Sequence, residues 1–187
     1  MAADYSKIDF HSFVDNRLNE IGYRLLHITK DVLNERIDDI MKFVNSTRIE
    51  FNEKYGWEEE TREYFFNDMV DKWKYSYGIV NEKDEICLLN FSSVYGDIIH
   101  YHFIYTRPDL RGISLAKLHF IKLNQVCLEN GYMEMELYCP KNNNRGIILY
   151  MRLGWEIQSI RNNKELLMRC DLEKVRNKAY ELIIAGK

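Results

Sequence analysis

The segment DIIHYHFIYTRPDLRGISLAKLHFIKLNQVCLENG, residues 97–131, changes its hydrophobic period once, and that change restricts the folds open to this chain. Residues 98–106 are β-branched and aromatic and read as a strand, and Pro108 ends ladder pairing because it has no N–H to donate. Beyond it Ala116, Phe120, Leu123 and Cys127 recur at helical steps, and Gly131 is placed to stop the helix. A further strand, YMEMELYC, follows at once. A strand–helix–strand unit closes as a right-handed crossover, which makes the strands at 98–106 and 133–139 parallel neighbours. The fold class is therefore mixed α/β.

The rest of the chain fits around that unit. A helix is expected over residues 6–20, where Ser6 and Asp9 resemble a capping box and Phe10, Phe13, Val14 and Leu18 follow helical spacing. YRLLHIT reads as a short strand, Asp31 opens a helix through Val32, Ile37, Ile40, Phe43 and Val44, and a further helix is expected over Glu60–Lys74. Two strands surround the polar turn Asn81–Asp84. NNNRGIILYMRLG is a short helix opened by asparagine and closed by Gly154. A final strand pair turns at Arg161–Lys164, and a terminal helix is capped by Asp171. The expectation is a central sheet of about six to seven strands flanked by helices. Residues 1–21 form an N-terminal helical extension and 22–187 one compact domain.

With 187 residues and only two prolines, the chain can bury a full core and shows no linker. A net charge of −3 argues against a nucleic-acid binder. No apolar run approaches a membrane span and no signal peptide is visible, so the expected location is cytoplasmic. The four cysteines lie far apart without a CxxC pair, which suggests reduced, buried thiols and no metal site.

The junction at 106–117 carries the clearest chemistry. The first turn of a helix presents free N–H groups and the positive end of its dipole, a ready anion site. Gly112 allows a backbone conformation closed to other residues, while Arg111 and Lys117 add positive charge. A glycine needed only for a tight turn, with a solvated arginine beside it, is the plainer alternative.

Two motifs extend this reading. RGISLA resembles the Q/R-x-x-G-x-G/A motif of the GNAT superfamily of N-acetyltransferases, with Arg111 at its first position, Ala116 at its last, and Ser114 in place of the middle glycine. NNNRGIILYMRLGWE resembles the same family's N-x-x-A-x-x-L-Y-x-x-x-G-F signature through Asn143, Leu149, Tyr150, Gly154 and Trp155, with Gly146 where alanine is usual. The resemblance spans roughly residues 22–172. It implies acetyl-coenzyme A as acyl donor and direct transfer to a primary amine, on a small molecule or a peptide, in a ternary complex. The coenzyme would be held by Tyr105, Thr106, Arg111, Gly112, Ile113, Ser114, Leu115, Ala116, Lys117, Asn143 and Gly146. Tyr150 would protonate the departing thiolate, and a backbone amide of strand 98–106 would polarise the thioester.

For the base, His100 and His102 lie two apart on one strand and share a face. They read either as the proton acceptor or as hydrogen-bonded sheet residues. Glu134 and Glu136 are weaker candidates on the next strand. The aromatics Tyr55, Trp57, Tyr64, Phe65, Phe66, Trp73, Tyr75 and Tyr77 supply either an acceptor pocket or core. A homodimer is compatible with this reading. The rival is a catalytically silent acyl-coenzyme A sensor or scaffold, for which Ser114 and Gly146 leave room and against which Tyr150 argues.

Overall fold

A computed structural model describes residues 4–55 and 60–186, and the side chains of 47–55 fall outside this description. The chain begins with helix α1 (Phe10–Glu20), strand β1 (Tyr23–His27), helix α2 (Lys30–Tyr55) and the short helix α3 (Arg62–Phe66). A meander follows: β2 (Tyr77–Asn81), β3 (Ile86–Tyr95) and β4 (Ile98–Thr106). The second half holds α4 (Leu115–Glu129), β5 (Glu134–Pro140), α5 (Asn144–Leu153), β6 (Glu156–Arg161), β7 (Glu165–Asp171) and α6 (Leu172–Ile184). The seven strands form one sheet in the order β1-β2-β3-β4-β5-β7-β6. Every pairing is antiparallel except β4 with β5, the pair joined by the α4 crossover.

Each face of the sheet has its own core. On one face Phe10, Val14 and Leu18 of α1 join Phe120, Leu123 and Cys127 of α4 and Leu172, Val175 and Ala179 of α6 over Ile99, Tyr101, Met135 and Leu137. On the other, Leu33, Ile37, Ile40 and Val44 of α2 and Phe65 of α3 cover Leu89, Phe91, Phe103 and Tyr105. All four cysteines are free and buried. No helix among the described residues is long and apolar enough to cross a membrane.

Local chemistry sets the element ends, in two places differently from the sequence expectation. The first helix starts at Phe10, because Asp9 caps it by accepting from the Ser12 N–H at 3.0 Å, and no helix covers residues 6–9. The helix expected over 60–74 is confined to Arg62–Phe66. There Lys72 folds back, and its ammonium donates to the carbonyls of Phe65 at 2.6 Å and Asn67 at 3.2 Å, satisfying groups that a longer helix would have bonded internally. Asp171 caps α6 as its position suggested, and of the three asparagines before α5 it is Asn143 that caps the helix.

Candidate active site

The site grows out of one irregularity in β4. Against β3, Phe103 pairs with Phe91 but Tyr101 pairs with Ser92, leaving His102 as an extra residue in a β-bulge. The bulge reverses the alternation of the strand: Ile99 and Tyr101 enter the α4 core, whereas Phe103 and Tyr105 enter the α2 core. Pairing with β5 ends at the same point. Only Ile99–Tyr101 are in register with Met135–Leu137, although β4 runs on to Thr106 and β5 to Pro140. Beyond that point the strands separate. The cleft between them is lined by Tyr101–Tyr105, Leu137–Pro140, Asn143 and Tyr150.

A buried polar chain holds the bulge. The Asn90 amide donates to the Phe103 carbonyl at 2.9 Å, and the Ser92 hydroxyl donates to Asn90 Oδ1 at 3.1 Å. The Ser92 N–H in turn donates to the Ser76 hydroxyl at 3.2 Å. Asn90, Ser92 and Ser76 are all fully buried. Sequence reasoning missed them. Their signal was two polar side chains at a step of two inside the apolar run ICLLNFSSVY.

The two histidines share a face, with ring centroids 4.8 Å apart. His102 Nε2 lies 2.7 Å from the Ser93 hydroxyl, and its pKa is lowered to about 4, by burial first and then by His100 and Lys72. His100 Nδ1 lies 3.2 Å from Glu136 Oε1, and Arg169 donates to the other oxygen of Glu136 at 3.1 Å. Arg169 also lies 3.8 Å from Glu134 and was not anticipated from sequence.

Tyr150 reaches the cleft from α5. Its ring packs edge-on against Phe120 and lies 5.4 Å from Trp155, and its hydroxyl makes no hydrogen bond to the described residues. Burial, with Cys139 second, raises its pKa above the ordinary phenol range, so the hydroxyl stays protonated. Asn143 is turned inward: its Oδ1 accepts from the Gly146 N–H at 3.0 Å. A Cβ on Gly146 would fall 2.6 Å from Asn143 Nδ2, so this cap and an alanine compete for one space.

The turn before α4 contains two left-handed residues, Gly112 at φ +98° and Ser114 at φ +73°. Ser114 thus holds a left-handed conformation that favours glycine, at a cost of about 1 kcal/mol. Its hydroxyl does not cap the helix. A Cβ at Gly112 would meet nothing within 4 Å, so conformation alone requires glycine and the space beside it is open. The Leu118 N–H bonds to the Ser114 carbonyl as the helix opens, and Leu115 and Ala116 stand in the first turn, where backbone N–H groups lack intrahelical acceptors. Such a turn suits a diphosphate.

The side chains there are less available than the motif suggested. Leu115 is buried in the core and Ile113 is half-exposed. Arg111 donates to the Tyr105 hydroxyl at 2.9 Å with its guanidinium carbon 5.3 Å from the ring centroid, while Tyr105 packs on Phe43. Burial lowers the Lys117 pKa, and Thr106 and Ala116 are partly buried. Of the aromatics considered for an acceptor pocket, Phe65, Tyr75 and Tyr77 are buried in the core, while Tyr64, Phe66 and Trp73 are partly buried against it. The Tyr55 side chain and Trp57 lie outside the described residues.

The model of the Acetyltransferase (GNAT) family matches residues 38–155. Among solved structures, the chain is similar to the ribosomal-protein-S18-alanine N-acetyltransferase from Escherichia coli, with a TM-score of 0.63 at 14% identity, covering 80% of this chain and 94% of that one. It is also similar to the PaiA N-acetyltransferase from Thermoplasma acidophilum in complex with coenzyme A, with a TM-score of 0.60 at 11% identity over 80% of this chain and 98% of that one. An acetyltransferase from Streptococcus agalactiae superposes with a TM-score of 0.66 at 10% identity over 80% and 98% of the two chains. At these identities the likeness is one of fold. No curated protein matches the chain by sequence.

Proposed function

The chain belongs to the GNAT family of acetyltransferases, and on that footing we propose that it transfers an acetyl group from acetyl-coenzyme A to a primary amine of a small molecule or peptide by direct attack. The observation that carries this reading is the cleft at the β4 bulge, where His102 and Tyr150 line one opening from different elements.

The donor would enter with its diphosphate at the amides of 112–117 and its thioester in the gap between β4 and β5. The acceptor amine is mostly ammonium near neutral pH and must lose a proton before attacking the thioester carbon. The histidine pair stands on the face carrying α2 and α3, and His102 is neutral at working pH because burial holds its pKa near 4. As the carbon–sulfur bond breaks, Tyr150 supplies the proton to the thiolate, a role suited to a phenol that burial keeps protonated. The bulge frees backbone groups of β4 beside the gap, and one N–H there would polarise the thioester carbonyl. Placing amine and thioester together accounts for much of the remaining rate.

The test is release of free thiol from acetyl-coenzyme A against a panel of aryl-alkyl amines, diamines and peptides with free N-termini. Turnover with at least one class is expected. Coenzyme binding with no turnover across the panel would instead support the sensor reading.

A further inference from the structure

We propose that Glu136 is the positioning residue for His100, and that it holds the ring so that Nε2 receives the proton lost by the acceptor amine. This rests on the acetyl-transfer reading above.

His100 and Glu136 are directly opposed in the parallel register, one pair before β4 and β5 separate. The carboxylate has both oxygens engaged on opposite sides: Oε2 accepts from Arg169 at 3.1 Å and Oε1 faces His100 Nδ1 at 3.2 Å. Arg169 is itself in register with Glu136 across β7, so three adjacent strands hold the row His100–Glu136–Arg169. Both members of the histidine–carboxylate pair are largely buried, with side chains 13% and 11% exposed. A carboxylate anchored by arginine accepts but does not donate, so Nδ1 carries the hydrogen and Nε2 keeps its lone pair.

The surroundings separate the two histidines. His100 is faced by His102 on its own strand, Tyr138 of β5 at 5.4 Å, Tyr95 of β3 at 6.3 Å and Ser93 across the register. Glu134 and Arg169 act on it through Glu136, and Lys72 lies close enough to depress the pKa of His102. Among the described residues no carboxylate backs His102, whose Nε2 is engaged by Ser93. A base whose pKa lies near 4 is a weak proton acceptor near neutrality. His100 instead has a carboxylate behind its ring, at Nδ1. In the step, an ammonium N–H bond breaks and its electron pair stays on nitrogen for attack. The Nε2–H bond forms, Glu136 offsets the imidazolium charge, and the proton later passes to water.

The decisive measurement needs no variant. Nitrogen-15 spectra of histidine-labelled wild-type protein should show neutral His100 as the Nδ1–H tautomer, and an Nε2–H tautomer overturns the proposal whatever the protein catalyses. In the thiol-release assay Glu136→Gln should lower kcat about 10²-fold at unchanged KM for acetyl-coenzyme A, with Glu136→Asp recovering part of the loss; an unchanged kcat also overturns it. If no panel amine is acetylated by the wild type, the acetyl-transfer reading fails, while the tautomer still decides whether Glu136 orients His100.

Discussion

His102 and Phe103 are adjacent in the chain yet lie on the same side of the sheet, whereas Tyr101 lies on the other. One inserted residue thus divides β4 into an upstream half packed under α4 and a downstream half packed under α2. It also falls where β4 leaves β5, which is why the cleft opens there. Asn90 bonds the Phe103 carbonyl from the buried side. Asn90→Ala should cost about 2–3 kcal/mol, because it orphans that carbonyl and the Ser92 hydroxyl together. Urea unfolding measures the loss, and a change under about 0.5 kcal/mol would show that the bulge does not depend on this bond.

Removing the Tyr150 hydroxyl tests the proposed acid. Tyr150→Phe keeps the ring contacts with Phe120 and Trp155 and should leave coenzyme affinity near that of the wild type. Turnover should fall about 10²-fold. Equal turnover in a side-by-side assay would remove Tyr150 from the mechanism.

His119 predicts an acid-sensitive fold. Both its ring nitrogens are buried without a hydrogen-bond partner among the described residues, and burial lowers its pKa to about 3, against about 6.5 when unfolded. Between those values the unfolded chain binds a proton that the folded chain refuses, so stability rises with pH across that window and is lost as pH falls through it. From pH 7 to pH 4.5 His119 alone should cost about 2–3 kcal/mol. His119→Leu should flatten this slope, leaving the part due to His102; denaturant midpoints at the two pH values give the comparison.

Ser114 occupies a left-handed conformation at φ +73°. Relief of strain in Ser114→Gly is offset by the greater freedom of glycine in the unfolded chain, so stability should change by less than about 1 kcal/mol. A β-branched side chain cannot adopt this conformation cheaply, and Ser114→Val should cost about 1–2 kcal/mol. Equal melting temperatures for the serine and valine proteins would count against the strain.

Gly146 and Asn143 should behave as a coupled pair. Gly146→Ala gains helix propensity of up to about 1 kcal/mol but displaces the capping side chain, worth about as much, so its net effect should be small or unfavourable. In an Asn143→Ala background nothing remains to displace, and the same substitution should stabilise by about 1 kcal/mol. Additive effects in a double-mutant cycle would contradict the competition.

The sequence by itself determined the mixed sheet, the parallel β4–β5 crossover, an asparagine cap before α5, the cap at Asp171, and two motifs that resemble those of the GNAT family. These are local signals: a period, a missing N–H, a small side chain at a fixed offset. It also placed His100 and His102 on one face, since two residues apart on a strand is a local relation. What the tertiary structure decided was everything that depends on register. The bulge at His102, the chain from Ser76 to Phe103 and the row His100–Glu136–Arg169 join residues from separate strands. No spacing along the chain encodes which residue of β5 or β7 will stand opposite a given residue of β4. The early end of the third helix was hidden for the same reason, because an apolar stripe does not reveal that Lys72 will turn back to bond the helix's last carbonyls. Periodicity fixes which way a side chain points within its own element, and packing alone fixes what it meets there.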